Sequence, residues 1–290
     1  MPWYILPLVS AILISVSTIV EKKVLVKEHA TEFSTVFAIF NAVLCVPFIF
    51  FADFSNLTIG RVLVIYFASL LGTLSFLLNA KSTRHMEVSA SSPWMILAPA
   101  VASILAFIFL GEKLSALQVF GMVFMIIGLY VLQSHRHSSV WDPLREIYSS
   151  KYIHFILFSL LLYSVCALID RTLLSKYEVN FMAYMFLVHI FVALNFFILS
   201  YWVYDGIKGI SRGIKTYGWL ILLISVITVV HRTSTIIAIS TTVLGLVLPI
   251  KRLSALFTTV IGGELFSEKN LTRKIVACLI MLAGVIFIVQ

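Results

Sequence analysis

The sequence predicts an all-α polytopic membrane protein whose ten transmembrane helices form two inverted five-helix repeats. Three observations predict it. Hydrophobic residues make up 61% of the 290 residues and charged residues 12%, against about 45–50% and about 25% in an average soluble domain. The apolar residues fall in unbroken runs of about 20, the length that crosses a bilayer core as a helix, whereas barrel strands would alternate over about ten. Finally, rare polar residues recur at constant offsets in the two halves. A soluble globule of this composition would have too little polar surface to stay hydrated. That excludes a soluble enzyme, a disordered chain and a disulfide scaffold.

The runs, in order, are 3–25, 34–52, 61–79, 88–110, 114–133, 153–174, 180–204, 216–236, 240–266 and 271–289. The first lacks the basic flank and small-residue cleavage site of a signal peptide and reads as a permanent helix. The second holds a lone Asn41, suited to hydrogen bonding between helices. The fourth holds Pro93, which removes a backbone bond and kinks its helix, followed by Trp94, which either lines a cavity or sits in ordinary core or lipid contact. In the fifth, Gly121 and Gly128 are seven apart and share a face suited to close packing. The polar stretch SHRHSSVWDPLREIYSSK, 134–151, divides the runs five and five. The predicted organisation is therefore residues 1–134 as one repeat, 135–152 as a connecting loop and 153–290 as the second repeat.

An offset of 149 superposes Ser10 on Ser159, Ser15 on Ser164, Glu21 on Asp170, Lys22 on Arg171 and Lys27 on Lys176. An offset of 156 superposes Pro93 on Pro249, Glu112 on Glu268, Lys113 on Lys269 and Gly128 on Gly284. The difference is absorbed near 205–215. Five helices is an odd number, so the two halves enter the membrane from opposite sides. Inverted repeats of this kind place a substrate site near the midplane, between the halves.

The segment LAPAVASILAFIFLGEKLSALQVFGMVFMIIGLYVL carries Pro99, Gly111, Glu112, Gly121 and Gly128. It is similar to the end of an EamA domain, and Pro249, Glu268 and Gly284 repeat the pattern less cleanly, with Ser267 in place of a glycine. The whole chain resembles a two-EamA-domain member of the drug/metabolite transporter superfamily. The resemblance implies secondary transport of a small metabolite without specifying which. The pair Lys251–Arg252 also resembles the Lys-Arg pair in the ninth helix of the superfamily's phosphate-translocator branch.

The same pair stands out without any family, because a basic residue at the centre of a membrane helix costs roughly 2.5–3.5 kcal/mol. Folding the chain back at about residue 240 brings His231 and Arg232 to the depth of Lys251 and Arg252, near the midplane. His189 in the seventh helix lies at a similar depth. Glu21, Asp170 and Glu87 fall closer to helix ends, so no acidic residue is expected at that level. A cationic cluster in low dielectric calls for an anion. That is either a carboxylate or phosphate of the substrate, or backbone carbonyls and Glu21/Asp170. The candidate substrate-binding residues are thus Lys251, Arg252, Arg232, His231, His189 and Trp94. Pro93 and Pro249 are candidate kinks that expose backbone to a ligand. Glu21/Lys22 and Asp170/Arg171 read either as a gate or as solvated anchors at the membrane interface. Glu112 and Glu268 read as caps near the start of the last helix of each repeat.

Cys45, Cys166 and Cys278 sit inside apolar runs and read as small hydrophobes. No cofactor or metal is expected. Coupling would come from protons or a counter-substrate. The net charge of +8 is scattered over short loops, so nucleic acid is not an expected partner. The expected partners are a small-molecule substrate and the lipid bilayer, with the chain a monomer or homodimer in the cell membrane. Outside the central cluster, 14 Lys and Arg flank the face opposite the termini and four flank the terminal face. The positive-inside rule thus puts the termini outside, whereas the resemblance implies the cytosol. No H-E-x-x-H, G-x-S-x-G or intrahelical aspartate pair is present to suggest an intramembrane enzyme. The alternatives to a carrier of anions or zwitterions are an exporter of cationic drugs or amphipathic metabolites, and a non-transporting sensor or assembly protein.

Overall fold

The computed structural model describes residues 5–111, 113–134, 142–203, 206–241 and 244–289. All regular structure among them is helical. Ten long helices follow the ten apolar runs: α1 (Ile5–Leu25), α2 (Ala30–Cys45, continued by the 3-10 turns Val46–Phe51), α3 (Ile59–His85), α4 (Val88–Ser91, Ser92–Leu97 and Ala98–Leu110), α5 (Ala116–Gln133), α6 (Lys151–Arg171, continued by the π turn Thr172–Lys176), α7 (Phe181–Val203), α8 (Gly206–Thr241), α9 (Leu244–Phe257, the π turn Thr258–Gly262 and Gly263–Leu265) and α10 (Leu271–Val289). Nine of these, all but α9, are long and apolar enough over the described residues to cross a membrane. Residues 135–141 of the predicted connecting loop lie outside the described residues. The rest of that stretch holds a short helix, Asp142–Ser149.

Several helices outrun their apolar cores, because a helix ends where its caps end it rather than where the oil stops. The predicted third helix, 61–79, continues through Lys81, Ser82 and Thr83 to His85. There the ammonium of Lys22 accepts the role of a C-cap, donating to the carbonyls of Thr83 (2.6 Å), Arg84 (3.2 Å) and Met86 (2.6 Å). The predicted eighth helix begins ten residues early, at Gly206. At 36 residues it is about 54 Å long and exceeds the roughly 30 Å hydrocarbon core. In α4 the missing N–H of Pro93 falls within a 3-10 segment, Ser92–Leu97, which separates the two α-helical parts.

The inverted repeat is visible in contacts. Ser10 on α1 donates to the carbonyl of His231 on α8 at 3.2 Å, and Ser159 on α6 donates to the carbonyl of Ser75 on α3 at 2.8 Å. The offsets of 149 and 156 carry the first contact onto the second. The closing helices α5 and α10 pack antiparallel. A Cβ placed on Gly121 would lie 2.5 Å from the carbonyl oxygen of Gly284, and one on Gly128 would lie 2.9 Å from that of Ala277. The offset of 156 exchanges these two contacts as well. The backbones approach this closely because the facing residues are small.

Two large apolar clusters, with a smaller one around Ile65, Leu173 and Tyr184, form the interior. One, around Trp94, Met125, Cys278 and Met281, lies among α4, α5, α6, α9 and α10. The other, around Phe33, Phe196 and Ile221, lies among α1, α2, α3, α7 and α8. Cys45 and Cys278 are buried, Cys166 is half-buried, and all three are free thiols.

Candidate functional site

Between the two clusters lies a cavity of about 530 Å³, within the usual range for small-molecule sites. Its wall draws on α1, α2, α3, α4, α6, α7, α8 and α9. Arg232, Lys251, Arg252, His189 and His231 all line it, so the structure brings five of the six predicted binding residues together. His189 comes from α7, His231 and Arg232 from α8, and Lys251 and Arg252 from α9. The guanidinium of Arg232 lies 3.2 Å from Nε2 of His189. Since a guanidinium only donates, this nitrogen is the acceptor and the ring proton sits on Nδ1. Lys251 lies within electrostatic reach of both Arg252 and Arg232. Arg252 Nε is buried with no hydrogen-bond partner among the described residues.

Trp94 is placed elsewhere. It is fully buried in the apolar cluster with Met125 and Met281, and its neighbours Ser92, Met95 and Ile96 reach the cavity instead. Pro93 is buried beside it and is likewise off the wall. Pro249 lies within α9, and the helix's departure from α geometry comes nine residues later, at Thr258–Gly262. The side chains of Pro249 and Arg171 lie outside the described structure, as does Glu112.

Glu21 and Asp170, expected closer to helix ends than the cations and as alternative partners for them, both line the same cavity. Asp170 accepts a hydrogen bond from the Tyr184 hydroxyl and lies within electrostatic reach of Arg232. Glu21 points Oε1 into the interior with no hydrogen-bond partner among the described residues.

Lys22 diverges from Glu21 rather than pairing with it. Consecutive helix residues point about 100° apart, and Lys22 goes to the end of α3. Glu268 likewise caps a different helix from the expected one. Its carboxylate accepts from the backbone N–H of Val88 (2.6 Å) and Ser89 (2.9 Å), and from the Ser89 hydroxyl, at the start of α4. A negative charge is stabilised there by the unpaired amides and the helix dipole. Lys274 of α10, with its side chain 5% exposed, pairs with Glu87, lies 3.7 Å from Glu268 and donates to the Ser89 hydroxyl at 2.7 Å. The ends of α1, α3, α4 and α10 are thus joined by buried charges beside Thr83 and Ser91, which line the cavity.

Sequence reasoning missed Lys274 and Glu87, since both sit at helix ends where charge is unremarkable. It also missed Tyr184, whose only signal was an amphipathic ring in an apolar run, and Asn195, which donates to Ser69 at 3.0 Å and Thr73 at 3.4 Å across α7 and α3. Among the described residues no cluster of three or more His, Cys, Asp or Glu is arranged to hold a metal ion.

Residues 1–133 match the model of the EamA-like transporter family. Nineteen chains of solved structures match the fold. One, described only as "Crystal structure of protein", superposes over 96% of this chain and 96% of its own with a TM-score of 0.59 and 12% identity. At that identity the likeness concerns the fold alone. No curated protein matches the sequence.

Proposed function

From the premise that this chain carries an EamA-like transporter domain, the domain of the drug/metabolite transporter superfamily, we propose that it is a secondary transporter of a small anionic or zwitterionic metabolite bearing a carboxylate or phosphate. The observation that carries the reading is the convergence of Arg232, Lys251 and Arg252 on one cavity between the two repeats. Three cations meet two carboxylates there, and an arriving anion compensates the excess. Guanidinium groups suit both carboxylate and phosphate because their planar donors match those oxygens. The site moves between faces by alternating access, driven by protons or a counter-substrate, in the cell membrane. Accessibility of a C-terminal tag decides the orientation.

Lys251→Gln or Arg252→Gln should abolish uptake of the transported anion into proteoliposomes while leaving the protein folded. Undiminished uptake by both variants refutes the assignment. A second reading, export of an organic cation, is favoured by one observation, the Glu21 carboxylate on the cavity wall, whose buried Oε1 has no hydrogen-bond partner among the described residues. Stabilisation of the purified protein by organic cations and not by carboxylates or phosphates would select it. Uptake of any substrate into proteoliposomes separates both readings from a non-transporting sensor.

A further inference from the structure

The offset of 156, which carries Ser75 onto His231, also pairs positions on the cavity wall. It superposes Arg232 on Phe76, Lys251 on Met95 and Arg252 on Ile96. All six residues line the cavity. Inverted repeats are related by an axis in the membrane plane, and here the equivalent positions of both repeats reach one cavity. The three from the second repeat are cationic, and their three equivalents in the first are apolar.

The apolar wall is built before any ligand arrives. Phe76 stacks on Phe37 with centroids 5.0 Å apart and planes 9° apart, and Phe37 stacks on Phe33 at 5.8 Å. Phe196, from α7 of the second repeat, packs edge-on against Phe76 at 6.1 Å and backs that ring. Rings held by their neighbours lose little freedom when another surface covers them. A small inorganic anion would satisfy the cations and leave this aromatic surface wet. A ligand with a flat apolar body dries it, gaining both burial and ring–ring contact.

We propose that recognition is divided between the repeats, the second holding the anionic group and the first an apolar, flat body, so that the substrate class is an amphipathic organic anion. This rests on the anionic reading above and narrows it. Phe76 is the specificity-determining residue, and Arg252 serves every anion alike.

The test uses the purified full-length protein and four probes at equal concentration: phenylacetate, acetate, inorganic phosphate and phenethylamine. Ligand-induced shifts in melting temperature are read for the wild type, Phe76→Ser and Arg252→Gln. In the wild type, phenylacetate should bind about ten-fold more tightly than acetate or phosphate, the gain expected from one ring–ring contact with its burial. Phe76→Ser should erase that preference and leave acetate unchanged, while Arg252→Gln should weaken all three anions. Should Phe76→Ser fail to fold, Phe76→Leu keeps the volume, removes the ring face and should lose part of the preference. Equal binding of the three anions by the wild type overturns the division while leaving the anionic reading intact. So does a loss of phenylacetate and acetate in equal measure on replacing Phe76. Stabilisation by phenethylamine alone, or by none of the probes, overturns both.

Discussion

Replacing Gly284 by Ala adds one methyl group where, among the described glycines, a Cβ would come nearest to a backbone atom. The new Cβ would sit 2.5 Å from the carbonyl oxygen of Gly121 and 2.8 Å from Cγ of Met125. An ordinary carbon–oxygen contact is about 3.3 Å or more, so α5 and α10 must part locally by roughly 0.8 Å. A gap of that size forfeits a quarter to a half of the dispersion energy of each facing pair, and overpacking costs typically about 1–3 kcal/mol. Alanine recovers up to about 1 kcal/mol through its better helix propensity. The net expectation is a loss of about 1–2 kcal/mol. Gly121→Ala meets the same carbonyl crossing from the other side, at 2.5 Å from Gly284 O. One separation relieves both clashes, so the double variant should cost clearly less than the two singles together. Gly60→Ala is the control. Nothing lies within 4 Å of its Cβ position, so stability should hold or rise. Equilibrium unfolding in mixed detergent micelles, followed by tryptophan fluorescence, measures all four. A Gly284→Ala protein as stable as the wild type, or strictly additive losses in the double variant, would refute the close-packing account.

Lys274→Met should cost about 3–5 kcal/mol in the same assay, because it breaks a buried ion pair with Glu268 and leaves only Lys22 in electrostatic reach of that carboxylate; adding Glu268→Gln should recover part of that loss, and a single-variant change under about 1 kcal/mol would contradict the account. Glu28 lies between α1 and α2, where burial foremost, and then its hydrogen bond to Glu32 and that residue's charge, hold its carboxyl above the ordinary glutamate range against the opposing pull of Arg212 and His29. A raised carboxyl contributes stability that is fully present below the unfolded value and is lost as the pH climbs through the folded one. Melting temperatures taken from acid to neutral pH should therefore fall less steeply for Glu28→Gln than for the wild type; parallel curves would contradict this.

The number of helices and their inverted pairing were legible because burial in lipid demands long apolar runs and because serine, proline and acid–base pairs are rare enough there to register an offset. The offsets even relate contacts, as Ser10 and Ser159 show. The convergence of Arg232, Lys251 and Arg252 on one cavity was legible for a similar reason, since they lie deep inside runs whose ends are well marked. What the sequence hid lies at the ends of helices. There, polar residues extend a helix as readily as they end it, so α8 starts ten residues before its apolar run. Long side chains also choose partners on other helices. Lys22 reaches the last carbonyls of α3, and Glu268 reaches the first amides of α4 rather than those of its own helix. No periodicity along one strand of sequence encodes such crossings. The same difficulty moved Glu21 and Asp170 onto the cavity wall, where their depth along the chain suggested interface anchors.

The turn between α3 and α4 is two residues long, Met86 and Glu87, and it is riveted on both sides. A cation from α1 holds the outgoing carbonyls, and an anion from the approach to α10 holds the incoming amides, while Lys274 ties that anion to Glu87. Such a joint does not bend. Any widening of the cavity toward this face must swing four helix tips as one block, or tear two ammonium groups from their acceptors. Opening at this face is thereby displaced from the two-residue joint to other parts of the helix bundle.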